Sequence, residues 1–117
     1  MRSVISEKSF EFAVKIVCLA KELRNEAREY ELSRQLMRSG TSIGANVSEG
    51  QQGQSKKDFI SKMSIALKEA HETNYWLRLL ERVDFERNAR YKALLDDNDE
   101  IIRILASIVK TSKENQN

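Results

Sequence analysis

An apolar side chain returns every three or four residues through almost the whole chain, and no proline interrupts the pattern. Proline removes a backbone N–H and clashes with the preceding turn, so its absence leaves long helices unbroken. Apolar residues at this period turn one face of each helix toward a core. The commonest residue types are also tolerated in helices. The sequence therefore predicts an all-α protein, and 117 residues suit a single domain, 1–117, with a core of its own.

Four helical segments are predicted, at about 6–28, 29–49, 56–83 and 86–111. In the first, Ser6 and Ser9 offer N-caps. Phe10, Ala13, Val17 and Ala20 form one stripe there, and Phe12, Ile16, Leu19 and Leu23 a second. The third begins after Ser55, a good N-cap with Asp58 at its third position. Its core stripe is Phe59, Met63, Ala66, Ala70, Thr73, Leu77 and Leu80, with Trp76, Leu79 and Val83 forming a further row. The fourth carries Tyr91, Leu94, Asn98, Ile101, Leu105 and Ile108.

The second segment contains SGTSIGANVSEG, Ser39 to Gly50, which holds three of the four glycines. A phosphate loop is the competing reading. However, Gly50, Gly53 and Lys57 miss the spacing of GxxxxGK[ST], and no strand precedes them. Leu32, Leu36, Ile43 and Val47 carry a helical seam straight through the stretch, so it reads as helix. Interior glycines cost about 1 kcal/mol each relative to alanine. Gly40 and Gly44, one turn apart, then read as room for close packing, with Trp76 as the expected knob and Gly50 as a left-handed C-terminal cap.

Short connections between four such helices predict an antiparallel up-down-up-down four-helix bundle. The surplus apolar rows on the first and third segments predict that a second copy covers them, in a homo-oligomer.

The 20 basic and 18 acidic side chains nearly cancel, leaving +2, so only a local patch could mark a nucleic-acid partner. Cys18 is alone, which excludes an intrachain disulfide, and its apolar setting predicts a buried side chain. His71 has no second histidine to complete a metal pair and reads as a surface or interface residue. The run Asp96–Glu100 (DDNDE) lacks the spacing of a calcium loop and reads as a solvated helical turn. No metal, cofactor or catalytic residue is expected, and the chain is read as a non-enzyme. The longest apolar run, IVCLA, is far short of a membrane span. The start, MRSVISEKSF, lacks a signal-peptide core. A soluble, cytoplasmic protein is expected.

Arg38, Ser42, Asn46 and Glu49 form a polar row on the second segment. With Glu69 and Glu72 they read as a hydrogen-bonded structural network rather than a ligand surface. Candidate nucleic-acid contacts are Arg34 and Arg38, Lys56, Lys57 and Lys62, and Arg78 with Arg82. Residues 56–83 carry a local basic excess of two, a weak patch that repetition in an oligomer would strengthen by avidity. The competing reading is a protein-interaction scaffold using the wide apolar arcs and the acidic run.

The stretch Leu32–Glu81, with QLMRS, TSIGANVSEG, SKKDF and SIALKEAHETNYWLRLL, resembles the four-helix-bundle proteins encoded in intervening sequences of bacterial 23S rRNA genes. That family is similar in fold to the accessory variability protein of diversity-generating retroelements. The resemblance implies a barrel-like homopentamer without catalytic activity. It also implies an RNA- or DNA-linked role; on the scaffold reading the chain serves instead as accessory subunit to a nucleic-acid enzyme such as a reverse transcriptase. It places Arg38, Asn46, Glu49, Gly50, Glu69, Glu72 and Trp76 in the family pattern.

Overall fold

The computed structural model describes residues 3–115 and is built of four helices, α1 (Val4–Asn25), α2 (Tyr30–Gln51), α3 (Lys56–Val83) and α4 (Asn88–Glu114). A 3₁₀ turn at Phe85–Arg87 joins the last two. No strand occurs among the described residues. The α3 bounds match the sequence reading, and Ser55 caps the helix by accepting from the Asp58 N–H at 3.1 Å.

The other ends differ for local reasons. Ser3, not Ser6 or Ser9, caps α1, accepting from the Ser6 N–H. The helix stops at Asn25 because Arg28 takes a left-handed backbone, φ 56°. This lets the Glu29 N–H reach the Leu23 carbonyl at 2.9 Å. Nothing but the residue's conformation marks that stop, since Gly or Asn is the usual occupant of such a position. Gly50 is not a left-handed cap: no described glycine has positive φ, and α2 continues through it to Gln51. Instead Gly50 is buried, and a Cβ there would lie 2.9 Å from the Met63 methyl.

The helices pack in ring order, α1 on α2, α2 on α3 and α3 on α4, with the thinnest contact between α1 and α4. Contacting residue numbers rise along one helix as they fall along its neighbour. Gly40 meets Ile16 and Gly44 meets Ser9, Arg38 reaches Glu69 while Glu49 reaches Lys62, and Asn98 reaches Ala70. Phe12, Ile16, Leu19, Leu23, Leu36, Ile43, Met63, Leu77, Tyr91 and Leu105 fill the core. The second α1 stripe is thus the core stripe; Phe10 of the first is 62% exposed. Cys18, expected inside, is exposed.

Gly40 and Gly44 do make room, but for α1 rather than for Trp76. A Cβ at Gly40 would sit 2.7 Å from Ile16 Cγ2, and one at Gly44 3.2 Å from the Ser9 carbonyl oxygen. Trp76 lies on α3, and none of its atoms is among the nearest neighbours of either site. Gly40→Ala is expected to destabilise by about 1 kcal/mol net. Overpacking costs about 1–3 kcal/mol, against a gain of about 1 kcal/mol in helix propensity. Urea denaturation checks this. The loss should shrink in an Ile16→Ala background, whereas strict additivity would clear Ile16 as the obstacle.

Candidate nucleic-acid interface

The structure does not gather the predicted cations into one patch. At 1.5 Å per residue, Lys57 and Arg82 lie about 38 Å apart along α3. Several are already committed. Arg34 pairs with Glu31 at 2.7 Å on its own helix. Lys62 pairs with Glu49 at 3.1 Å, and Lys56 Nζ donates to the Asn115 carbonyl at 2.6 Å. Arg38 holds both Glu69 and Glu72. Lys57, Arg78 and Arg82 have no ion-pair partner among the described residues.

These three belong to a longer row. Lys57, Ser61, Ser64, Lys68, His71, Tyr75, Arg78 and Arg82 recur at alternating steps of four and three, which keeps them on one side of a helix. All are exposed except the half-buried Ser64. The opposite side of α3 carries the core residues Met63, Ala66, Ala70, Thr73 and Leu77. No acidic residue falls on the outer row. Asp58, Glu69 and Glu72 sit on the side that meets α2, and Glu81 on the side toward α4. The signal was present in the sequence, as a heptad-spaced row read outward rather than inward.

The predicted polar network is only partly assembled, and it is not buried. Arg38 bridges Glu69 and Glu72, and Glu72 also accepts from Trp76 Nε1 at 3.2 Å. The Tyr75 ring meets the Trp76 ring edge-on, centroids 5.1 Å apart. Ser42, Asn46 and Glu49 stand outside this cluster. Ser42 donates to the Arg38 carbonyl and Asn46 to the Ser42 carbonyl, while Glu49 pairs with Lys62. Short polar side chains prefer such back-bonds to their own helix when they are half-exposed.

Sequence reasoning missed a second charged cluster at the α3–α4 corner. Arg87 Nε donates to Glu22 at 2.6 Å and its Nη1 to Asp84 at 3.1 Å. Arg90 also reaches Glu22, and the fully buried Tyr91 donates to Asp84 at 2.7 Å. The Arg87 and Arg90 hydrogen bonds hold the Glu22 carboxyl below its usual range. Burial pushes Asp84 up, but hydrogen bonds from Tyr91 and Arg87 outweigh it and the net shift is downward. Burial and the Asp84 charge push the Tyr91 phenol up. From this anchored corner Phe85 projects 87% exposed. Beside it lies an open groove of ≈ 420 Å³ lined by Arg78, Glu81, Arg82, Phe85, Asn88 and Lys92. A smaller groove of ≈ 190 Å³ shares Arg78 and Arg82 and adds Tyr75 and Leu79.

The acidic run DDNDE is a turn of α4 engaged with neighbouring helices. Asp97 pairs with Lys15 and Glu100 with Lys8, Asp99 accepts from Asn74, and Asn98 is buried. His71 is exposed. No helix among the described residues is long and apolar enough to cross a membrane.

The model of the family described as 23S rRNA-intervening sequence protein matches residues 2–107. Among solved structures, the chain is similar to a crystal structure from Bacteroides thetaiotaomicron, of a protein with unknown function from the S23 ribosomal protein family. The two are 52% identical, with a TM-score of 0.88 over 92% of this chain and 99% of that one. No curated protein matches the chain.

The corner cluster sets an acid limit on stability. Glu22 and Asp84 have folded-state pKa values below their unfolded ones. Their contribution is therefore complete above the unfolded values and is lost as pH falls through the folded ones. Stability should decline below about pH 5, and Glu22→Gln should flatten part of that decline. Arg87→Ala should cost about 2 kcal/mol at neutral pH, since hydrogen bonds to charged groups contribute about 1.5–3 kcal/mol. Urea midpoints measured between neutral and acid pH check both outcomes.

Proposed function

The chain belongs to the 23S rRNA-intervening sequence protein family, and we propose that it is a non-enzymatic, homo-oligomeric bundle that presents one helix face to nucleic acid. The observation that carries the reading is the outer row of α3. Lys57, Lys68, Arg78 and Arg82 are exposed there without an acidic residue among them, in a chain whose total charge is only +2. Cations left unpaired on a straight helix can each displace a counterion from a phosphate, whereas paired ones must first break a salt bridge. The acid-free face thus concentrates the usable positive charge.

Self-association is supported on a different side. Phe10 and Val14 of α1 are 62% and 44% exposed. Phe10 borders a groove of ≈ 420 Å³ lined with the small side chains of Ser6, Ala13, Thr41, Gly44, Ala45 and Ser48. An apolar stripe beside a groove of small residues suits a facing helix. Since α1 and α3 are both packed between α2 and α4, their outer faces point apart. Assembly through α1 would leave the α3 row open to solvent. We take the path of the chain as up-down-up-down and the oligomer as the pentamer that the resemblance implies. The same apolar stripe would serve a protein-interaction scaffold if a different chain covered it.

Light scattering should give a multiple of the monomer mass, and Phe10→Glu with Val14→Glu should reduce it to the monomer. A monomeric wild type would favour the scaffold reading. Fluorescence anisotropy with labelled RNA and DNA should show affinity falling steeply with salt. Lys68→Gln, Arg78→Gln and Arg82→Gln should each lower the salt slope by about one phosphate contact. Affinity that is indifferent to salt would overturn the phosphate-binding role.

A further inference from the structure

Two large aromatic rings flank the Arg78–Arg82 pair, and both are exposed, Tyr75 by 56% and Phe85 by 87%. Exposing a phenylalanine this fully gains nothing in folding, because a side chain that stays in water contributes no burial. Yet the segments that carry these rings are tied down by side-chain hydrogen bonds. Phe85 stands in the 3₁₀ turn anchored by Arg87 and Asp84, with Arg87 crossing to Glu22 on α1. Tyr91 ties the same Asp84 to the core. Tyr75 leans edge-on against Trp76, which Glu72 holds, and Glu72 is held in turn by Arg38. Each ring is thus presented from a fixed base.

Between the rings lie the two adjoining grooves, which share Arg78 and Arg82. The larger is lined by three cations, Arg78, Arg82 and Lys92, against one carboxylate, Glu81. Exposed rings beside a cationic track are the ingredients of single-strand recognition. The bases stack on aromatic faces while the phosphates follow the positive groove. A duplex presents its bases only as edges within its grooves, so exposed rings offer it no stacking surface.

We infer that the α3–α4 corner is a binding site for single-stranded nucleic acid, with unpaired bases stacking on Phe85 and Tyr75 and phosphates held by Arg78, Arg82 and Lys92. This rests on the nucleic-acid reading above and specifies which form of nucleic acid the site takes. Arg87 and Glu22 are positioning residues, because they touch the turn and not the ligand. Preorganisation of this kind reduces the entropy lost on binding.

The test uses the full chain and fluorescence anisotropy with oligo-uridine, oligo-deoxyuridine and duplexes of matched length and ionic strength. Single strands should bind more tightly than duplexes, and whichever homopolymer binds better names the preferred sugar. Phe85→Ala and Tyr75→Ala should each weaken single-strand binding by about five- to a hundred-fold. The salt slope and duplex binding should stay unchanged, and Phe85→Trp should retain affinity. Both positions are exposed, so circular dichroism should show the fold intact. Equal affinity for single strands and duplexes, with no effect of either alanine, would overturn the inference while leaving a salt-dependent nucleic-acid role standing. Absence of salt-dependent binding to any probe would overturn both. A change of oligomer mass on Phe85→Ala would assign the ring to contact with another copy and overturn the inference.

Discussion

The seam between α1 and α4 is the most thinly packed between neighbouring helices, and side-chain ion pairs cross it. Two open grooves, of ≈ 330 and ≈ 340 Å³, run along it between Phe12 and Ile101 and between Cys18 and Leu94. Lys8–Glu100 and Lys15–Asp97 span the first at 2.9 and 3.0 Å. Exposed pairs of this sort contribute about 0–1 kcal/mol each, too little to hold two helices together. The firmer tie is at the corner, where Glu22 receives Arg87 and Arg90 and the first of these is largely shielded from solvent. α1 is therefore fastened along α2 by close backbone approach and to α4 chiefly at one end. The weaker edge is the one beside the exposed Val14, whereas Phe10 borders the groove on the α2 side.

The core itself was legible in the sequence because it is periodic. Ile43 and Val47 passing at helical spacing through the glycine-rich stretch sufficed to identify α2, and both are fully buried. Thr73 and Asn98 were placed in core stripes despite being polar. The Thr73 and Ser39 hydroxyls lie 3.0 Å apart, and Asn98 Nδ2 donates to the Ala70 carbonyl, while Asn98 Oδ1 is buried without a partner among the described residues. What periodicity fails to convey is which neighbour a face meets. Gly40 faces Ile16 rather than Trp76, because spacing within one helix says nothing of the order of helices around a bundle. The Arg28 turn was invisible for a related reason. A left-handed residue without glycine leaves no mark in composition.

Charge was the property least readable from sequence, since a charged side chain is most available for binding when no neighbour pairs with it. Arg38 looked equally suited to phosphate and to a network. In the structure it bridges two carboxylates and, through Glu72, steadies Trp76. Lys62 and Arg34 are likewise neutralised by Glu49 and Glu31. Arg87, by contrast, attracted no notice in the sequence, because its partners Glu22 and Asp84 converge on it from elements far apart and close by in the chain. Only packing brings Glu22 within reach.

The distribution that remains has a consequence for how such a small domain could serve as a platform. Acidic residues on α3 are spent on its flanks, Glu69 and Glu72 against Arg38 and Glu81 toward α4. This leaves the outer row cationic without raising the net charge of the chain. A weak positive face on one copy attracts nucleic acid poorly at physiological salt, because screening extends over about 8 Å. Copies joined through a separate face would present several such rows at fixed spacing. The second contact then forms at the high effective concentration set by the assembly rather than by solution. In that arrangement near-neutrality would be an advantage: it would limit repulsion between subunits while the segregation of charge within each keeps the outer row of α3 cationic.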